Sequence, residues 1–129
     1  FRRYMIKIAN DLASQLKASA LITGESVGQV ASQTLSNIRA VSEESDLPIL
    51  RPLAGTNKED IVNRAKKIGT YDISIEPYED CCSYFVPPHP ETKAKIDKVK
   101  KISDNLIIDD IYFKTMQNIE KIEIEYTGE

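Results

Sequence analysis

Two cysteines, one histidine and no long apolar run set the first exclusions for this 129-residue chain. A membrane-spanning helix needs about 20 predominantly apolar residues, and no stretch here approaches that. Cys81 and Cys82 are adjacent, and neighbouring Cα atoms lie about 3.8 Å apart, short of a disulfide's usual span. They are therefore read as reduced thiols in a reducing compartment. With only His89 to assist, they do not complete a four-ligand zinc site, so no metal centre is expected. A basic surplus is also missing: the net charge is −3, which argues against a self-sufficient nucleic-acid binder. The opening Phe1-Arg2-Arg3-Tyr4-Met5 runs into Lys7, Asn10 and Asp11 rather than an apolar region, so no signal peptide is expected there. A cytoplasmic setting follows by default. The first residue is Phe1, which leads to the expectation that the chain begins inside a longer protein.

Hydrophobic residues make up 41% and charged residues 29%, as in an ordinary soluble globular protein. The length suits one domain burying roughly two-thirds of its unfolded surface. Met5, Ile8, Leu12 and Leu16 form a helical stripe over residues 4–17. Residues 20–23 read as a short buried strand. Ser26 and Gln29 have capping-box spacing, and Val27, Val30, Ala31, Thr34, Ile38 and Val41 would line one face of a helix reaching about Ser42. Residues 49–53 read as a second strand that Pro52 ends. A capping box at Thr56 starts a helix that presents Ile61, Ala65 and Ile68 and closes on Gly69. Residues 71–75 read as a short extended piece, and residues 76–90, with four prolines and both cysteines, as a long irregular loop. A lysine-rich helix is expected from about Glu91 to Ser103 and a last helix from Asp109 to Asn118. Residues 119–126 alternate like an edge strand. This order predicts an α/β fold with a parallel sheet flanked by helices.

Several residues carry chemistry on their own terms. Gly24 follows a strand, where open backbone lets a flat ring or a phosphate approach. It is equally plain turn geometry. Arg2 has a planar donor fork suited to phosphate or to stacking, or is a frayed terminal arginine. Gln33 carries both donors and an acceptor, fit to read a polar edge, or is a solvated helix residue. Lys93, Lys95, Lys98, Lys100 and Lys101 crowd one segment; they form a solvated helix face or a phosphate-contacting one. Cys81 read by itself is a free thiol or a small buried hydrophobe, and Glu79 and Asp80 beside it disfavour a thiolate.

The string LITGESVGQVASQT, from Leu21 to Thr34, closely resembles the adenine-side motif of tRNA 4-thiouridine sulfurtransferases, a branch of the ATP pyrophosphatase (PP-loop) superfamily. The resemblance continues through residues 48–52, 66–71 and 77–86 and covers most of residues 1–95. It implies a partial adenine-nucleotide alpha hydrolase-like (PP-loop) sheet, with residues 1–129 as the C-terminal part of that domain. Position by position, the family's nucleotide contacts fall on Arg2, Gly24 and Gln33, and the cysteine that accepts or resolves its persulfide sulfur on Cys81. The implied cofactor is ATP, with Mg2+ in the intact enzyme. The implied partners are tRNA, a cysteine desulfurase that donates persulfide, and a thiamine sulfur-carrier protein. The intact form is expected to be a homo-oligomer, not membrane-bound. The superfamily's Ser-Gly-Gly-x-Asp-Ser phosphate loop does not occur in this chain, so these residues alone are expected to be inactive. The competing reading is a non-catalytic nucleotide-binding or interaction module that keeps the fold. Other PP-loop enzymes, such as 2-thiolation enzymes, would lack the Gly-Gln-Val-Ala-Ser-Gln string.

Overall fold

The computed structural model describes residues 1–78 and 89–125. Helix α1 (Arg2–Gln15) forms where the stripe predicts, yet Met5 and Leu16 on that stripe stay exposed. Its buried positions are Ala13 and Asn10 instead. The small Ala13 lets a neighbouring helix approach, and the Asn10 Oδ1 accepts from the Ser45 hydroxyl and the Asp46 N–H, both at 3.0 Å. The helix ends through Lys17 in a left-handed conformation (φ 57°), with the Ala18 N–H reaching back to the Ala13 carbonyl at 2.8 Å.

Two short strands follow the expected order. Strands β1 (Leu21–Ile22) and β2 (Ile49–Leu50) pair in parallel, Leu21 opposite Ile49 and Ile22 opposite Leu50. The Leu21 and Thr23 N–H groups donate to the Pro48 and Leu50 carbonyls at 2.9 and 3.0 Å. Leu21 and Ile49 are half-buried, while Ile22 and Leu50 are exposed. The α/β class and the parallel pairing agree with the sequence reading.

The long helix expected from Ser26 does not form. Gly28 sits at φ +79°, a single 3-10 turn spans Ala31–Gln33, and helix α2 covers only Leu35–Ser42. Two local interactions win over the helical pattern. Gly28 carries a backbone angle that a helix excludes. Thr34, extended at ψ 156°, turns its hydroxyl to accept from the Asn37 N–H at 3.2 Å, a helix N-cap eight residues beyond Ser26. Of the six residues on the expected apolar face, only Ile38 is buried; with Ala13 and Ala40 it makes the core between α1 and α2.

Helix α3 (Lys58–Lys67) is capped by Asn57 rather than Thr56: the Asn57 Oδ1 accepts from the Asp60 N–H at 2.8 Å. It closes on Gly69 at φ +75°, as expected. Residues 71–74 are a helical turn, α4 (Tyr71–Ser74), not an extended piece; the Tyr71 ring takes the Lys66 ammonium 4.9 Å from its centroid. Helix α5 (Ile96–Asp104) starts later than Glu91. The Asn37 side chain explains the delay, donating to the Glu91 carbonyl at 2.6 Å and accepting from the Ala94 N–H at 3.1 Å. The Thr34 hydroxyl also donates to the Thr92 carbonyl at 2.7 Å. Helix α6 (Asp109–Gln117) matches expectation. It is fastened to α1 by the Tyr4 hydroxyl, which donates to the Ile108 carbonyl at 2.9 Å, and by Tyr112, which donates to the Asp11 carboxylate. The edge strand expected at residues 119–126 is absent from its described part, where Ile122 and Ile124 are exposed. No helix among the described residues is long and apolar enough to cross a membrane.

Thr34 both caps α2 and holds the segment that precedes α5. Replacing it with Ala is expected to cost about 1–2 kcal/mol in urea unfolding, with Thr34→Ser close to neutral. Equal loss in both variants would remove the cap from this account.

Candidate nucleotide site

Strand β1 delivers the chain to an exposed Gly24, after which Glu25 and Ser26 turn inward and are buried. Glu25 is 7% exposed, so its carboxylate needs partners in place of water. One oxygen is paired with Arg2; the other accepts from the Arg51 Nε at 2.7 Å and the Thr23 hydroxyl at 3.1 Å. The strand register explains how Arg51 gets there: Ile22 lies beside Leu50, so Thr23 and Arg51 continue the same ladder. Arg51 also donates to the Ser42 hydroxyl at 2.7 Å and the Ile49 carbonyl at 3.2 Å. It thereby ties the turn to the end of α2 and to its own strand.

Ser26 fixes the next step. Its hydroxyl donates to the Thr56 carbonyl at 2.9 Å, and its N–H donates to the Gln33 side-chain oxygen at 3.1 Å. The Gln33 carbonyl accepts from Gly28 at 3.1 Å, so Gln33 bridges back over the turn by backbone and side chain together. Arg2 closes the circuit from α1, donating to the Ser32 carbonyl at 2.8 Å.

Three of the four sequence candidates, Arg2, Gly24 and Gln33, are thus brought around one turn. Arg2 is not a frayed terminus, because it is held between Glu25 and Ser32. Gln33 is not on a continuous helix from Ser26. A Cβ built on Gly24 would meet nothing within 4 Å, leaving clear space over the backbone there. The Gln33 Nε2 has no hydrogen-bond partner among the described residues, while its Oε1 is committed to Ser26. The fourth candidate, Cys81, and its neighbour Cys82 lie outside the described residues. Sequence reasoning missed Glu25 and Arg51. Their signal was a carboxylate inside the strand-to-turn string and an arginine at the matching place after the second strand.

These residues fit an adenine nucleotide by chemistry: an open backbone for a flat ring, an unused amide donor, and a guanidinium beside them. Glu25 is a poor Mg2+ ligand, since both its oxygens are engaged. No group of three or more His, Cys, Asp or Glu suited to a metal occurs among the described residues.

Burial alone would push the Glu25 carboxyl up. The Arg51 hydrogen bond, the Arg2 charge, the Thr23 hydroxyl and the Arg51 charge outweigh it and hold the group below its ordinary 4.5. A folded-state value below the unfolded one stabilises the protein above pH 4.5, and that stabilisation is lost as pH falls through the lower folded value. Glu25→Gln is therefore expected to cost about 2 kcal/mol at neutral pH. It should also flatten the loss of thermal stability on acidification; an unchanged acid limb in melting curves would contradict the assignment.

A sequence model of the family "Thiamine biosynthesis protein (ThiI)" matches residues 1–108. The "Probable tRNA sulfurtransferase" of Moorella thermoacetica is 46% identical over 124 residues, covering 96% of this chain and 32% of the relative. The protein of the same name from Caldanaerobacter subterraneus is 49% identical, covering 96% of this chain and 32% of the relative. The chain thus spans about a third of the length of these relatives. Among solved structures, a 4-thiouridine synthetase–RNA complex with bound ATP is similar at TM-score 0.82 and 39% identity, over 91% of this chain and 31% of that one.

Proposed function

The chain belongs to the thiamine biosynthesis protein (ThiI) family, and from that premise we propose that it is the adenine-reading and sulfur-handling part of a tRNA 4-thiouridine sulfurtransferase. The observation that carries this reading is the turn at residues 23–33, which gathers the open Gly24 backbone, a Gln33 Nε2 unpaired among the described residues, and Arg2. It gains support from the similar structure that binds both ATP and RNA. In this proposal, residues 1–129 form the C-terminal part of a PP-loop ATP pyrophosphatase domain. The phosphate loop and the main tRNA grip come from elsewhere in the full-length enzyme.

The polarity of Gln33 sharpens the recognition. Its oxygen serves Ser26, so the base meets an amide donor. A donor there suits a ring nitrogen that accepts, such as adenine N1, and rejects the N1–H of guanine. Arg2 offers positive charge toward the phosphates, and Gly24 lets the ring lie against the backbone. Bound there, ATP supplies the adenylation that turns the uridine O4 into a leaving group. The persulfide sulfur displaces AMP from C4 and leaves the base in a disulfide with the carrier cysteine. Cys81 either bears that persulfide or, as a thiolate, attacks the carrier sulfur, which releases the thiolated uridine and leaves a protein disulfide for an external thiol to reduce. A cysteine desulfurase is the proposed donor, and Mg2+ the proposed counterion of ATP. Sulfur supply to thiamine thiazole synthesis through a sulfur-carrier protein, a homo-oligomeric intact form and a cytoplasmic location complete the proposal.

Two tests on the full-length enzyme address the two halves of this reading. Gln33→Glu keeps an acceptor for Ser26 but replaces the donor, and should weaken ATP binding about tenfold or more in calorimetric titration. Unchanged affinity would remove Gln33 from the base site. Cys81→Ser should abolish 4-thiouridine formation while ATP-dependent adenylation persists, and Cys82→Ser should be tolerated. Equal loss with both replacements would overturn their separate roles.

A further inference from the structure

The Glu25 cluster holds two guanidinium groups against one carboxylate, so it keeps one positive charge in excess. The two arginines are not equivalent. Arg51 is 17% exposed at its side chain and uses Nε and both terminal nitrogens inside the protein, on Glu25, Ile49 and Ser42. Arg2 is 33% exposed beside the open turn; its terminal nitrogens hold Glu25 and the Ser32 carbonyl, and its Nε has no partner among the described residues. We infer that Arg51 is a positioning residue for nucleotide binding: it neutralises Glu25 from behind and so leaves the charge of Arg2 available to the ligand's phosphates. The inference rests on the nucleotide reading of the turn.

The logic is one of charge balance. With Arg51 in place, Arg2 can turn part of its fork toward an anion while Glu25 stays paired in a site cut off from water. Without Arg51, Arg2 is the remaining cation on a buried carboxylate. An anionic ligand would then compete with Glu25 for the same guanidinium, and the approaching phosphates would meet a neutral cluster. Arg51 needs no contact with the nucleotide to have this effect. It also holds the turn's geometry through Ser42, so a charge test must be separated from a structural one.

Near-isosteric substitutions in the full-length enzyme make that separation. Arg51→Gln keeps hydrogen-bonding capacity and loses the charge; Arg51→Lys keeps the charge and loses the fork. Arg51→Gln is expected to raise KM for ATP about tenfold with a smaller change in kcat, and Arg51→Lys to raise it no more than about threefold. The double variant Glu25→Gln with Arg51→Gln restores one excess positive charge and should recover most of the lost ATP affinity. Equal effects of Gln and Lys at Arg51, or a double variant no better than Arg51→Gln alone, would overturn the inference. If Arg51→Gln leaves KM unchanged while Gln33→Glu raises it, Arg51 loses its role and the nucleotide site stands. If neither changes KM, both fail. Thermal melting of each variant separates loss of fold from loss of binding, and a melted Arg51→Gln that Glu25→Gln does not restore also counts against charge balance.

Discussion

The Glu25 carboxylate, withdrawn from water and shared between Arg2 and Arg51, is the contact on which the geometry of residues 23–33 depends. Moving an ion of this size out of water costs several kcal/mol, and the attraction of its partners repays it only when the remaining hydrogen bonds are satisfied. Here they largely are: Thr23 completes the carboxylate, the Ser42 hydroxyl and the Ile49 carbonyl complete Arg51, and the Ser32 carbonyl takes a second nitrogen of Arg2. Such a cluster contributes little net stability compared with a well-packed apolar one. Its effect is to specify position, because α1, the turn after β1, the 3-10 turn and the end of α2 must all be in register for it to close.

That role matters in a chain whose apolar core is small. Among the described residues the buried hydrophobic ones are Ala13, Ile38 and Ala40, while many larger ones, Ile22 and Leu50 among them, remain exposed. Polar anchors do much of the joining between elements. Asn10 holds the segment after α2, Arg3 reaches Glu44 and Ser103, and Asn37 with Thr34 holds the stretch before α5. These contacts are directional, so they fix angles between elements that a thin core would leave loose.

Much of the fold was legible in the residues. Apolar spacing found α1, the short apolar runs found β1 and β2, Gly69 marked the end of α3, and the last helix was expected where α6 lies. The failures share a cause. Periodicity carried a helix from Ser26 through to Ser42, but the Gly28 angle and the Thr34 cap are local backbone events that outweigh an apolar stripe. Residues 91–95 read as helix because composition does not register Asn37, more than fifty positions away, binding their backbone. The alternation at residues 119–125 lacks a partner strand among the described residues, and a strand needs one. At the site, the family resemblance pointed to Arg2, Gly24 and Gln33, which do gather at one turn. Glu25 and Arg51 escaped because a charged residue in a turn reads as solvated until the strand register sets the two side by side.

A structure of the full-length protein with a non-hydrolysable ATP analogue tests the central claim most directly. The account predicts adenine against the backbone of residues 23–25, the Gln33 Nε2 about 3 Å from a ring nitrogen, and Glu25 still paired with Arg51. A base bound elsewhere, or Gln33 released from Ser26 to present its oxygen, would contradict it.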